Sequence, residues 1–260
     1  METIKKGSKG EAVKTLQRLI GIEPVDGVFG PKTELAVIEY QKSHGLAPVD
    51  AVVGPKTWAS LEDGDMHIID GHINTHITRS ANRAIKYISI HYTAGSTSKK
   101  GTALSTRNVF LKRSASADFV VDDETIVQIN PDLRNYYCWA VGDKKNAYSG
   151  GGSLYGKATN KNTVSIEICS NLKKGTSAAM PNHAGWYFTE KSLDNALKLV
   201  RYLMRKFNVP KSNVVRHYDI SGKLCPGIIG WNNSNVYDAN GKVTAKKSDS
   251  DAWMVFWSLI

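Results

Sequence analysis

Apolar residues recur along this chain with two different periods, and the change from one to the other divides it. Between Glu11 and Leu19, Val13, Leu16, Leu19 and Ile20 fall within helical reach of one another, with Gln17 among them. Leu35, Ala36, Val37, Ile38 and Tyr40 do the same from Thr33 to Ser43, and Gly45 stops the run. Asp26-Gly27-Val28-Phe29-Gly30-Pro31-Lys32-Thr33 returns twenty-four residues later as Asp50-Ala51-Val52-Val53-Gly54-Pro55-Lys56-Thr57. Each copy reads as a turn followed by a helix start marked by proline. The pattern predicts three short helices around a small core.

From Ala84 the period shortens to two. Ala84 to Ile90 predicts a half-buried strand ending at His91, and Tyr92-Thr93-Ala94-Gly95 turns the chain away. Thr102 or Ser105 is placed to cap a helix through Leu111 that presents Val109 and Phe110. Asp118 to Asp122 and Ile126 to Ile129 predict a hairpin, and Thr163 to Ile168 alternates around Glu167. A long helix capped by Thr189 carries Leu193, Ala196, Leu197, Val200, Leu203, Met204 and Phe207 on one face before Pro210. The glycine run Gly150-Gly151-Gly152 reads as a loop, either the rim of a cleft or plain surface, and 231–245 reads as polar loop. At the end, Trp253, Phe256, Trp257 and Ile260 follow Asp249 and Ser250 at helical spacing. Core closure is the default reading of that face, and a wall- or membrane-facing aromatic surface the sharper one. Strands alternating with helices predict an α/β fold with a mixed central β-sheet flanked by helices over 65–260, behind a small all-α three-helix domain over 1–64. The boundary falls in the polar stretch Glu62-Asp63-Gly64-Asp65.

With 41% hydrophobic and 22% charged residues, the 260-residue chain has the composition of a soluble globular protein. No apolar run approaches the length of about 18 residues that a spanning helix needs. Met1 to Ser8 has no apolar stretch after its lysines and does not read as a secretory signal. Synthesis in the cytoplasm is therefore expected, with action on any outside substrate after release of the phage or prophage type. Three cysteines imply no disulfide framework, and Cys138 and Cys169 are expected as buried free thiols. The formal charge is +10, while the first sixty or so residues are close to neutral. The excess suits a polyanionic partner such as cell wall. Nucleic acid is disfavoured because the lysines do not cluster with aromatics in a binding motif.

Candidate chemistry gathers between Arg216 and Gly227. His217 and Cys225 stand eight residues apart with Lys223 two before the cysteine, and Gly222, Pro226 and Gly227 are expected to keep the stretch out of helix. Imidazole and thiolate are ligands that zinc prefers, and His91 is the candidate third. Two histidines and a cysteine would leave one tetrahedral position open, as catalytic sites do. No short spacing singles these residues out, however. Taken alone, a strand-end histidine is a hydrogen-bonded surface group and a lone cysteine a small buried hydrophobe. His67, His72 and His76 share no convincing element and read as linker and domain entry.

Ile90-His91-Tyr92-Thr93-Ala94-Gly95, Ser165-Ile166-Glu167-Ile168 and His217 to Gly227 resemble, in order and character, the signatures of the zinc-dependent N-acetylmuramoyl-L-alanine amidases, a family that includes amidase-type phage lysozymes and peptidoglycan recognition proteins. The resemblance covers roughly residues 75 to 260. It implies His91, His217 and Cys225 as ligands of Zn2+, with Glu167 and Lys223 as catalytic side chains. Family members commonly have a histidine where this chain has Ala140, and a His-Tyr or Tyr-His pair where it has Asp118-Phe119. Tyr92 and Trp139 remain as candidates for orienting substrate. The first sixty residues resemble the peptidoglycan-binding domain found at an end of many wall hydrolases, with Ala51 departing from Gly27 of the first copy. A capping or dimerising helical module is the bland alternative there. Together these resemblances imply a wall-lytic amidase acting on bacterial peptidoglycan, expected to be a monomer. A non-catalytic peptidoglycan recognition module is the alternative, and binding-only relatives typically lose a ligand.

Overall fold

The computed structural model describes residues 2–64, 66–95, 97–142, 152–175, 186–227, 236–237, 243–245 and 251–260. The chain divides into two units, Met1–Asp65 and Met66–Ile260.

In the first unit, helices α1 (Glu11–Leu19), α2 (Pro31–Ser43) and α3 (Pro55–Asp63) enclose Val13, Leu16, Val37, Trp58 and Leu61, with Ile4, Phe29 and Val53 from the connecting segments. The repeat seen in the sequence is a repeat of hydrogen bonding. Buried Gln17 accepts from Gly27 N and donates to Asp26 Oδ1, at 2.9 and 2.7 Å. Buried Gln41, one repeat later, accepts from Asp50 N and Ala51 N and donates to Val52 O, at 3.1, 3.0 and 3.0 Å. Each glutamine satisfies the peptide groups of a turn that would otherwise be buried unpaired. Ala51 has φ 58 where Gly27 has φ 74, so the second turn keeps its left-handed geometry despite the methyl group. Two details differ from the sequence reading. Helix α2 begins at Pro31, and Leu35 is 58% exposed, because Thr33, Val37 and Gln41 occupy the inward stripe instead.

The second unit is built on strands β1 (Ile68–Asp70), β2 (Ile77–Arg79), β3 (Tyr87–Tyr92), β4 (Phe119–Val121), β5 (Ile126–Gln128), β6 (Tyr136–Cys138), β7 (Thr163–Ile168), β8 (Asn171–Leu172), β9 (Trp186–Tyr187) and β10 (Val214–Arg216). Six form a mixed sheet in the order β1-β5-β4-β7-β3-β10, in which only β4 and β5 pair antiparallel. Helix α5 (Glu190–Phe207) starts at Thr189, whose hydroxyl accepts from Ser192 N, and ends at Asn208 in the left-handed region. Its Leu197, Val200 and Leu203 share a core with Ile88, Ile90, Val164, Ile166 and Ile168 of the sheet. Helix α4 (Thr102–Phe110) buries Ala103 and Phe110 in a second cluster with Val120 and Val127. Its N-cap is Gly101, and Val109 faces solvent.

Alternation along β3 and β7 sends isoleucines and Val164 to the α5 core, and Ser89, His91, Ser165 and Glu167 to the other face. Beneath that polar face Asp118 is buried. It accepts from Ser165 N and Oγ at 2.8 and 2.9 Å and from Asn130 Nδ2 at 2.6 Å, with Arg83 3.7 Å away. Asp118, in one of the two places where the chain departs from the pattern it resembles, is thus a buried anchor for β7.

Helix α7 (Asp251–Ser258) lays Trp253 and Phe256 into the α5 core, which is closure rather than an exposed aromatic face. The stretch from Arg216 to Gly227 is also less irregular than expected: His217–Ser221 forms one helical turn, α6. Asp219 makes it possible by accepting from Arg216 N and pairing with the Arg216 guanidinium, and Gly222 ends it at φ 78. Within 231–245, Val236–Tyr237 and Val243–Ala245 pair as strands. Gly150, Gly151, Asp249 and Ser250 lie outside the described residues. Gly152 is packed, not loose, since a Cβ there would meet Asp219 O of α6 at 2.0 Å. All three cysteines are buried and free, and no described helix is long and apolar enough to cross a membrane.

Candidate metal centre

The parallel strands β7, β3 and β10 are neighbours, and their C-terminal ends bring the candidate residues into one row. His91 and Glu167 are cross-strand partners in register, and Arg216 pairs with Ile90, so His217 follows level with His91. Clefts at the carboxyl ends of parallel strands are where open α/β sheets place ligands. Cys225 returns to the row because Tyr218 N donates to Cys225 O at 2.9 Å, closing the loop after α6.

Ligand atoms of His91, His217 and Cys225 all lie within 4.8 Å of one another, and the three residues are buried. Cys225 Sγ is 3.8 Å from His91 Nδ1, close to the separation of about 3.6 Å that tetrahedral zinc with ordinary Zn–N and Zn–S bonds requires. The far nitrogens are engaged elsewhere. His217 Nε2 lies 3.1 Å from Val141 O, which can only accept, so the proton of neutral His217 sits on Nε2 and Nδ1 keeps its lone pair. That Nδ1 is buried with no hydrogen-bond partner among the described residues. His91 Nε2 is 2.9 Å from Ser89 Oγ, which leaves its Nδ1 turned toward the cysteine. Such outer contacts fix tautomer and ring orientation at metal sites. Behind Val141, Asn160 Oδ1 accepts from both Ala140 N and Val141 N, at 3.0 and 2.8 Å, and so holds the residue whose carbonyl meets His217.

Electrostatics makes the cluster neutral without a cation. Burial, then the His217 and Lys223 charges, hold His91 well below the usual imidazole range. Burial and Lys223 bring His217 down to about 3. Burial, with the Glu167 charge, pushes the Cys225 thiol up to about 12, against Lys223 and the Tyr92 peptide N–H. Burial also lifts Glu167 to about 7, against Lys223 and Arg113, and its Oε2 has no partner among the described residues. Two imidazoles, a thiol and a carboxylate, all desolvated, are groups whose deprotonated forms a divalent cation would stabilise. The residues fit zinc.

Lys223 itself is exposed, yet its charge reaches all four buried groups. Tyr92 is half-buried, and its hydroxyl is pushed up by burial and by the Cys225 and Glu167 charges. Trp139 is 40% exposed and faces other partners: its indole N–H donates to Thr78 Oγ1, and its ring meets His76 edge-on. The sequence reading missed Trp186, whose ring stands against Tyr92 at 5.8 Å and whose buried N–H has no partner among the described residues. The aromatic run Trp186-Tyr187-Phe188 ahead of α5 was the available signal.

A family model described as N-acetylmuramoyl-L-alanine amidase matches residues 81–228, a stretch that contains the whole cluster. The chain belongs to that family. A peptidoglycan binding domain model matches residues 9–61. Among curated members, the chain is similar to the N-acetylmuramoyl-L-alanine amidase CwlH of Bacillus subtilis (strain 168), 36% identical over 143 residues that are 54% of this chain and 46% of that protein. It is similar to the amidase CwlL of Bacillus licheniformis at 29% identity, over 55% of this chain and 36% of that one. The chain therefore spans about half or less of the length of these curated amidases. Among solved structures, the catalytic domain of XlyA is 29% identical over 62% of this chain and 90% of its own, with a TM-score of 0.42.

Proposed function

We propose that this chain is a cell-wall lytic amidase that hydrolyses the amide bond between N-acetylmuramic acid and L-alanine in peptidoglycan. In this reading residues 65–260 catalyse, 1–64 bind the wall, and the protein works as a monomer after release from the cytoplasm. The observation that carries it is the row of His91, His217, Cys225 and Glu167 at the ends of three parallel strands. His91 Nδ1, His217 Nδ1 and Cys225 Sγ would hold zinc. Bound there, zinc supplies a lowered pKa for water and a positive charge beside the scissile carbonyl oxygen.

Glu167 is the general base. Its carboxylate takes a proton from the attacking water as the C–O bond forms, and returns that proton to the alanine nitrogen as the C–N bond breaks. Lys223, exposed but electrostatically linked to the buried groups, stabilises the charge that develops on the carbonyl oxygen. Tyr92, which feels the Cys225 and Glu167 charges, presents aromatic surface to the substrate, and the exposed part of the Trp139 ring is the second candidate for that role. Purified walls digested with the protein should yield free N-terminal L-alanine on the stem peptides, read by mass. Chelator should abolish that yield and added zinc restore it. Release of reducing sugar ends instead, or activity indifferent to chelator, would sink the proposal.

A further inference from the structure

The two repeats of the first unit have the same fold but differ in one cation. In the first copy the Lys32 ammonium donates to Glu23 O, just ahead of its own turn. Lys56 is the equivalent residue of the second copy, and Ala47 stands where Glu23 does. Among the described residues Lys56 makes no such bond. A cavity of about 400 Å³ opens at the second copy, lined by Gln41, Leu46, Pro48, Asp50, Val52 and Lys56 among others. That volume lies within the usual range for a small-ligand site.

We infer that this cavity is a peptide-binding subsite in which Lys56 takes a carboxylate of a wall stem peptide and Asp50 takes an amine. The inference rests on the wall-hydrolase reading and specifies which part of the polymer the first unit grips. Leu46, Pro48 and Val52 supply aliphatic walls that suit alanine methyl groups. No aromatic ring lines the cavity, so it lacks the flat face on which a sugar ring stacks. An ammonium and a carboxylate on one rim complement a short peptide that carries both charges, and charge-assisted contacts of this kind are the strong ones. Gln41 is not available to the ligand, since its amide is engaged with Val52 O, Thr57 Oγ1, Asp50 Oδ1 and the turn N–H groups, and Asp50 Oδ1 also accepts from Val52 N, so Asp50 meets the amine with its other carboxylate oxygen. The first copy has no equivalent role, because Lys32 is already bonded within the fold.

The test is amide NMR of the full chain titrated to millimolar concentration with L-alanyl-γ-D-glutamyl-L-lysyl-D-alanine, and separately with an N-acetylglucosamine tetramer. Shifts from the peptide at Ala47 to Thr57 and not at Glu23 to Thr33, weakened about tenfold by Lys56→Gln and unchanged by Lys32→Gln, support the subsite. No peptide shifts in the second repeat, equal shifts in both repeats, or shifts there from the sugar alone overturn it. Digestion of whole walls by the same sample reports separately on the hydrolase reading, so the two can fail independently.

Discussion

Ala51 and Gly27 occupy equivalent left-handed positions, and only one of them has a side chain to strain. A left-handed non-glycine residue costs about 1–2 kcal/mol, offset in part by the greater unfolded freedom of glycine. Ala51→Gly should therefore stabilise the first unit by up to about 1 kcal/mol, read by hydrogen exchange at Val13 and Leu16. Gly27→Ala should destabilise it by more than about 1 kcal/mol, because its Cβ would meet Lys14 Cγ at 3.0 Å and Gly10 O at 3.2 Å. Equal effects of both changes would contradict this account of the turn. Glu167 gives the second prediction at this scale. Its carboxyl is pushed up to about 7 by burial, and a bound cation lowers it again. A base works deprotonated, so turnover should rise with pH along a limb centred at or below about 7. Glu167→Ala should remove that limb and cut turnover by about 10²–10⁴ while bound zinc stays near one per chain. Loss of zinc in that variant would mean the carboxylate is a ligand.

The elements that carry the site were legible to different depths. Period-two alternation gave β3 and β7, and with them the shared face of His91 and Glu167, because burial on one side and chemistry on the other leave a mark on every second residue. The capped helix α5 was equally plain. The turn α6 was not, because it depends on Asp219 folding back on Arg216, a contact three residues apart that no hydrophobic period records. Nor was the support behind His217, in which Asn160 holds Val141, nineteen residues away, and the Val141 carbonyl meets the ring. Leu35 was misplaced for a related reason: buried glutamine and threonine took inward positions that pattern reading reserves for apolar side chains. Two element-scale outcomes follow. Asn160→Ala should loosen Val141 and lower zinc affinity about 10–100-fold, measured by competition with a chromogenic chelator, with the helical spectrum preserved. Gly152→Ala should displace α6 and lower zinc affinity as well, since its Cβ has no room beside Asp219 O. Unchanged affinity in both variants would show that His217 is positioned by its own strand alone.

At the scale of the molecule, one sheet gathers residues from β3, β7 and the segment after β10, which are far apart in sequence, into one desolvated row. The first unit has a cavity of its own, with Lys56 and Asp50 in its lining. The family is established by the match over residues 81–228, and the proposed chemistry depends on whether three of those residues share one ion. X-ray absorption at the zinc edge of the reconstituted protein tests this most directly. The account predicts one sulfur at about 2.3 Å and two imidazole nitrogens at about 2.0–2.1 Å, with a light atom completing the shell. In Cys225→Ser the sulfur shell should vanish. A wild-type spectrum without sulfur, or with a single imidazole, would contradict it.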